Sequence, residues 1–384
     1  MKRLISSLPR TRTRPLFRGF STSRQCLADH VRIVEVGPRD GLQNEKSSIS
    51  LETKLELIRR LAQTGVTHME AGSFVPAKWV PQMASTAEIL ESILTRPPPA
   101  LHGIAYNYLV PNIRGLENLL KTFRAIGAQN PSGYPTPPPS PGPAQAQGQS
   151  PSTPISNSIE SSSESSAAVH SGNSTEISLF AAATETFSQK NTNCSIAESL
   201  ERSKPIMELA KQHNIRVRGY VSVALGCPYE GPDVNPHKVA EITATLLEIG
   251  CDEVSVADTT GMGTAPRTRK LLQTLREAGI LDEDLALHFH DTYGMALVNT
   301  VVGLEHGIRI FDSSVGGLGG CPYSKGATGN VATEDLLHLL HSLGCETGVD
   351  MVKMAEIGQW ITAQLGRAND SRAGKATLAR VKDS

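Results

Sequence analysis

The stretch "LHFHD" sets His288 and His290 two residues apart. On a strand, that spacing turns both imidazoles to one side. Two ring nitrogens on one face at a strand end, with acids on neighbouring strands, are the beginning of a metal site rather than two unrelated core residues. Asp40, within "VGPRDGLQNE", is the natural first carboxylate. Two imidazoles, a carboxylate and an amide or water form a mixed nitrogen and oxygen donor set without thiolate. That set suits a divalent cation such as Mg²⁺ or Mn²⁺, and zinc also fits the ligand types.

A second feature with chemical content is the tetrapeptide GCPY, which occurs twice, around Cys227 and around Cys321. A helix start closely follows the first copy, whereas the second lies in 316–329, where six of fourteen residues are glycine. A backbone so rich in glycine can approach a ligand closely or close over it. Only Cys321 therefore has the surroundings that a closing catalytic thiol would use. The repeat reads as a shared turn, since nothing outside GCPY recurs. The six cysteines form no CxxC pair, so they are expected to be thiols in a reducing compartment rather than a disulfide framework.

The elements that must hold these residues follow from the alternation of short apolar runs with amphipathic stretches. Strands are expected at 31–36, 67–72, 103–109, 176–182, 216–223, 253–257, 286–290 and 308–313. Between them lie helix patterns such as "SLETKLELIRRLAQTG", with apolar Leu51, Leu55, Ile58 and Leu61 and a glycine just past the end. Another, "NPHKVAEITATLLEIG", opens on Asn235 as a cap and Pro236 at the first helical position. Eight strands alternating with helices predict an α/β fold, the closed (β/α)8 or TIM barrel. In such a barrel chemistry belongs at the C-terminal strand ends. Acids, histidines and glycine turns collect there, in "VGPRDGLQNE", "MEAGSF", "VADTTGMG" and "HFHDTYG".

Two stretches do not read as barrel. Residues 1–28 carry seven basic residues and no acid before Asp29, the composition of a mitochondrial transit peptide. Their apolar residues are too scattered for a secretory core or a membrane span. Residues 129–174 are rich in Pro and Ser with almost no large apolar side chain, so they are expected to be a disordered insert before strand four, leaving on the helix side away from the site. Without these, about 310 of the 384 residues remain, the size of one barrel domain within 29–384. Losing seven basic residues from a net charge of −1 leaves −8, which does not suggest a nucleic-acid binder. The chain ends "VKDS", which is not a peroxisomal signal, so the mitochondrial matrix is the expected location.

The segments "EVGPRDGLQNE", "SFVPAKWVPQM", "RGYVSVALGCPYEG", "HFHDTYGMAL" and "GGLGGCPYSKGATGNVATED" together resemble the 3-hydroxy-3-methylglutaryl-CoA lyase family. The resemblance runs from about Val31 to the last helices, the insert excepted. The loop around Cys321 is its most discriminating part, because related synthases of the superfamily share the RDG and HxH elements but not that loop. The resemblance implies a TIM-barrel carbon–carbon lyase that uses a divalent cation to split hydroxymethylglutaryl-CoA into acetyl-CoA and acetoacetate, in leucine catabolism and ketone body formation. It implies an acyl-CoA substrate and a homodimer, with neither nucleic acid nor membrane as partner.

Carried over by position, the resemblance makes Asp40, His288, His290 and Asn330 metal ligands, Cys321 the catalytic thiol and Arg39 the catalytic cation. Glu70, Asp258 and Tyr220 match further active-site positions, with Gln43, Lys46, Ser73 and Thr259 as substrate contacts. Cys321 is expected to reprotonate the enolate carbon, and either Asp258 or His288 to take the hydroxyl proton. The bland role for Arg39 is an ion pair with Asp40 or Glu70. Departures from the family pattern are small: "EAGSF" where threonines are expected, Ala257 for a glycine and Val223 for a cysteine. Two other functions compete, a Claisen-condensing acyltransferase on the same barrel and an inactive scaffold acting through the insert.

Overall fold

A computed structural model describes residues 29–129, 172–320 and 329–382. Each apolar run of the sequence pairs in parallel with its neighbours. The strands are β1 (Arg32–Glu35), β2 (His68–Ser73), β3 (Ala105–Leu109), β4 (Ser174–Ala182), β5 (Arg216–Ser222), β6 (Glu253–Asp258), β7 (Leu285–Phe289) and β8 (Ile310–Ser313). The last returns to the first, with Arg32 opposite Ile310 and Glu35 opposite Ser313, so the sheet closes into the expected barrel. The helices are α1 (Leu51–Leu61), α2 (Thr86–Thr95), α3 (Ile113–Gln129), α4 (Glu185–Thr192), α5 (Ile196–Gln212), α6 (Pro236–Glu248), α7 (Ala265–Glu277), α8 (Ala296–Glu305), α9 (Thr333–Ser342), α10 (Met351–Gln364) and α11 (Arg372–Lys382).

Local chemistry sets the helix starts. Ser50 Oγ accepts from the Thr53 N–H at 3.1 Å to cap α1, and Asn235 Oδ1 accepts from His237 N at 3.0 Å ahead of Pro236. The buried face of α1 is Lys54, Leu57, Ile58 and Leu61, while Leu51 and Leu55 are only half-buried. Lys54 explains the rotation: its Nζ donates to Gln82 O and to Ser85 Oγ at 3.2 Å, so a lysine in the helix pattern is satisfied from within. Helix α3 runs to Gln129 and β4 begins at Ser174, so both ends of the 129–174 stretch belong to regular elements. Residues 130–171 and 1–28, read as insert and transit peptide, lie outside the described residues.

Two apolar layers form. The large one, between strands and helices, includes Leu57, Met69, Tyr108, Val221, Val254, Leu287 and Phe311. The small one, Val34, Val36, Ala286 and Ile310, lies within the barrel between β1, β7 and β8. The rest of the interior is polar, as contacts between strands that are not neighbours reveal. Arg218 on β5 reaches Asp312 on β8 at 2.7 Å, Tyr220 on β5 donates to Glu70 on β2 at 2.9 Å, and Arg32 on β1 pairs with Glu253 on β6. Charges at such depth persist only when each is paired and hydrogen-bonded.

Candidate active site

The first site residues sit on an unusual turn. After β1, Gly37–Gly41 forms a π-helical turn in which Asp40 N and Gly41 N both donate to Val36 O, at 2.8 and 3.1 Å. This wide turn presents Arg39 and Asp40 side by side at the C-terminal end of the barrel. A Cβ on Gly41 would lie 2.7 Å from Ser314 Oγ and 2.8 Å from Leu318 Cβ, so only glycine lets the first and eighth loops touch here.

Arg39 is 7% exposed and donates through Nε to Glu70 Oε2 and through Nη1 to Asp40 Oδ1, each at 2.7 Å. Burial alone would lower its pKa, but Glu70 and Asp40 raise it above the ordinary arginine value, so it is permanently protonated. The ion pair expected as its bland role is thus present with both acids, and it fixes the guanidinium beside the cluster of Asp40 with the two histidines. A register shift between Glu70 and Gly72 bends β2 just past Glu70. Glu70 Oε1 accepts from Tyr220 Oη at 2.9 Å and from Ser178 Oγ at 3.4 Å.

Asp40 accepts from Gln43 Nε2 at 3.0 Å and from Asn330 Nδ2 at 2.9 Å. Burial pushes its carboxyl up, but Arg39, His288, His290 and the Asn330 hydrogen bond together outweigh that and hold it at about 2. Ligand atoms of Asp40, His288 and His290 all lie within 4.8 Å of one another. His290 falls one residue past β7, where it bridges to Asn330. Burial and the neighbouring His288 bring its pKa down to about 3, so its ring is neutral and able to ligate.

The arrangement fits a bound cation. With Nδ2 given to Asp40 and Leu318 O, Asn330 is left with a buried Oδ1 that has no hydrogen-bond partner. His290 Nδ1 is likewise buried and without one. Two orphaned acceptors beside a carboxylate and a second imidazole are what a divalent cation with nitrogen and oxygen ligands would satisfy.

His288 Nδ1 lies 3.2 Å from Asp312 Oδ2, and that carboxylate also accepts from Ser255 Oγ at 2.9 Å and Arg218 Nη2 at 2.7 Å. Burial would raise the Asp312 pKa, but Arg218 and His288 keep it below the usual carboxylate value. Sequence reasoning missed Asp312, Arg218 and Ser255. The available signal was charge inside short strands, Arg218 in "RVRGYVS" and Asp312 in "IFDS".

The remaining expected residues are dispersed. Asp258 ends β6, where its Oδ2 accepts from Gly263 N at 2.9 Å and Oδ1 is buried without a hydrogen-bond partner. Burial pushes its carboxyl up to about 7. Ser73 donates to Leu109 O, Thr259 Oγ1 accepts from Val223 N, and Lys46 is exposed. None of these three is drawn into the cluster. Cys321 lies outside the described residues. Its counterpart Cys227 is wholly buried, with Sγ 3.2 Å from Thr184 Oγ1, and exchanges backbone hydrogen bonds with Gly231. The first GCPY is therefore a closed turn.

Two buried acids anchor the eighth loop. Glu35 Oε1 accepts from Gly37 N and Val315 N, and Glu334 Oε2 from Gly316 N, at 2.8 to 2.9 Å. Gly316 and Gly317 have φ of +64° and +65°, the left-handed conformation that glycine adopts without strain.

Similarity to known proteins agrees with this geometry. A 3-hydroxy-3-isohexenylglutaryl-CoA/hydroxy-methylglutaryl-CoA lyase of Pseudomonas aeruginosa is 47% identical over 355 residues, covering 92% of this chain and 99% of that protein. The mitochondrial hydroxymethylglutaryl-CoA lyase of Macaca fascicularis is 42% identical over 93% of this chain and 92% of its own length. The crystal structure of hydroxymethylglutaryl-CoA lyase from Pseudomonas aeruginosa superposes with a TM-score of 0.75 at 45% identity, covering 92% of this chain and 99% of that one. The HMGL-like family model matches residues 30–118 and 144–361, and the chain belongs to that family.

Proposed function

We propose that this protein is a carbon–carbon lyase that cleaves 3-hydroxy-3-methylglutaryl-CoA to acetyl-CoA and acetoacetate with Mg²⁺ or Mn²⁺. The observation that carries the reading is the juxtaposition of Asp40, His288 and His290 with a buried, doubly paired Arg39, in a chain whose relatives bear the lyase name over nearly their whole length.

Asp40, His288, His290 and Asn330 would hold the ion, which when bound lowers the pKa of a coordinated hydroxyl and fixes the substrate's oxygens. Cleavage turns a tertiary alkoxide into a ketone and expels the enolate of a thioester. Arg39 keeps its proton and offers directed N–H donors, so it stabilises negative charge without being consumed. Glu70 and Tyr220 keep the guanidinium in place. For the hydroxyl proton the two candidates are Asp258, whose carboxyl burial pushes up to about 7, and His288, whose Nδ1 is hydrogen-bonded to Asp312. Cys321 is the acid that returns a proton to the enolate carbon. Gly320 and Gly329, which flank 321–328, pack together close to Asn330.

Residues 1–28 act in this reading as a mitochondrial transit peptide ahead of one barrel domain, and the mature enzyme is a homodimer of the matrix. Fusing residues 1–30 to a fluorescent reporter checks the first point, and a purely cytosolic signal would sink it. The activity itself is tested with the chain lacking residues 1–28, assayed for acetoacetate release with and without Mg²⁺, beside Cys321→Ala. Metal-dependent release, lower by about two orders of magnitude or more in the variant, is expected. Absence of release with any divalent ion would remove the lyase assignment, and full activity in the variant would remove Cys321 from it.

A further inference from the structure

The lumen of the barrel contains a line of charge that the reaction as described does not use. Arg32 pairs with Glu253, Glu253 Oε1 lies 2.8 Å from Arg218 Nε, Arg218 reaches Asp312, and Asp312 reaches His288. The line crosses from β1 to β6, β5, β8 and β7, and it ends on the imidazole beside Asp40 and His290.

Asp312 is the last member before that imidazole, and its side chain is 0% exposed. Three donors on three other strands converge on it: Arg218 of β5 at 2.7 Å, Ser255 of β6 at 2.9 Å and His288 of β7 at 3.2 Å. Glu253 lies against the same guanidinium but also serves Arg32, so Asp312 completes the charge balance of the line and meets the imidazole as well. What Asp312 alone does is take the Nδ1–H of His288 and leave Nε2 as the ring nitrogen available to the cluster.

We propose that Asp312 is a positioning residue of the metal centre, holding His288 in the Nδ1–H tautomer and aiming Nε2 at the ion, with Arg218 and Ser255 fixing the carboxylate. The proposal rests on the reading of Asp40, His288 and His290 as ligands. A carboxylate behind a ligating imidazole orients the ring and raises its basicity, and its loss costs about 10- to 100-fold in metal affinity.

The test is Mn²⁺ titration of the full chain, with free Mn²⁺ followed by its electron paramagnetic resonance signal. Asp312→Asn is expected to raise the Kd about 10- to 100-fold over wild type. In a His288→Asn background the same substitution should add almost nothing, because its effect passes through the ring. An unchanged Kd in Asp312→Asn, or an equal loss in both backgrounds, overturns the proposal and leaves the ligand assignment standing. Failure of the wild-type chain to bind Mn²⁺ overturns the ligand assignment and the proposal with it.

A second readout requires no altered carboxylate. Nitrogen-15 spectra of histidine-labelled, Mg²⁺-loaded protein, with the His288 resonance identified by its disappearance in His288→Asn, should show Nδ1 protonated. A proton on Nε2 would overturn the proposal even if Asp312→Asn failed to fold.

Discussion

At the scale of single residues, Arg39 is the clearest case of a side chain whose shape matters as much as its charge. Its fork serves Glu70 and Asp40 at once, a geometry that a lysine ammonium cannot reproduce. Arg39→Lys should therefore lower kcat by about 10²- to 10³-fold, the usual loss when an oriented donor to developing charge is removed. An unimpaired kcat in that variant would remove the guanidinium from charge stabilisation. If Asp258 is the base, the direction of the pH effect follows. A base must be ionised, so the rate should fall as pH drops below about 7, and Asp258→Asn should lower kcat and abolish that limb of the profile. The grouping of Asp40 with the two histidines was legible in short motifs, and Arg39 entered through the family resemblance. Asp312, Arg218 and Ser255 were not legible, since their partners stand across the lumen and sequence carries no distances.

Elements were legible wherever a strand packs helices on its outer face. That layer leaves apolar residues at alternate positions, and all eight strands appear within about two residues of the expected bounds. The π turn at Gly37–Gly41 was not legible, because its extra residue is set by contact with the eighth loop and not by local propensity. That contact gives a prediction at the same scale. Gly41→Ala introduces a methyl group 2.7 Å from Ser314 Oγ and 2.8 Å from Leu318 Cβ, which forces the first and eighth loops apart. The expected cost is about 1–3 kcal/mol in urea unfolding, together with weaker Mn²⁺ binding as Asp40 moves away from Asn330. A variant with wild-type affinity would show that the two loops do not need each other.

For the molecule as a whole, the buried acids Glu35 and Glu334 set a pH dependence of stability. Burial raises them to about 7 and about 8 from 4.5. In the unfolded chain they ionise first, so their contribution to stability is full below about pH 4.5 and is lost as pH rises through 7 to 8. Glu334→Gln should accordingly gain on wild type between pH 5 and 8 in urea denaturation, and a difference that stays constant across that range would contradict the assignment. The 130–171 stretch can be tested at this scale too. Its flanks, the end of α3 and Gly172 packed on Gly103, lie at the N-terminal ends of the strands, opposite Asp40. Replacing it by a link of about six residues should leave kcat/KM unchanged, and a large loss would give that stretch a part in the active enzyme.

Closure of the barrel brings β1 beside β8, and the candidate metal ligands lie on both sides of that join: Asp40 follows the first strand, while His288 is on β7 and His290 and Asn330 follow β7 and β8. During synthesis, a nascent chain emerging from the ribosome carries Asp40 long before His288, His290 and Asn330 exist, and a divalent ion met at that stage finds a single carboxylate. The centre comes into being only when the closing segment has been translated and docked. An ion held by these residues would then favour the closed form by mass action, a clasp that could fasten only a chain already made as far as Asn330.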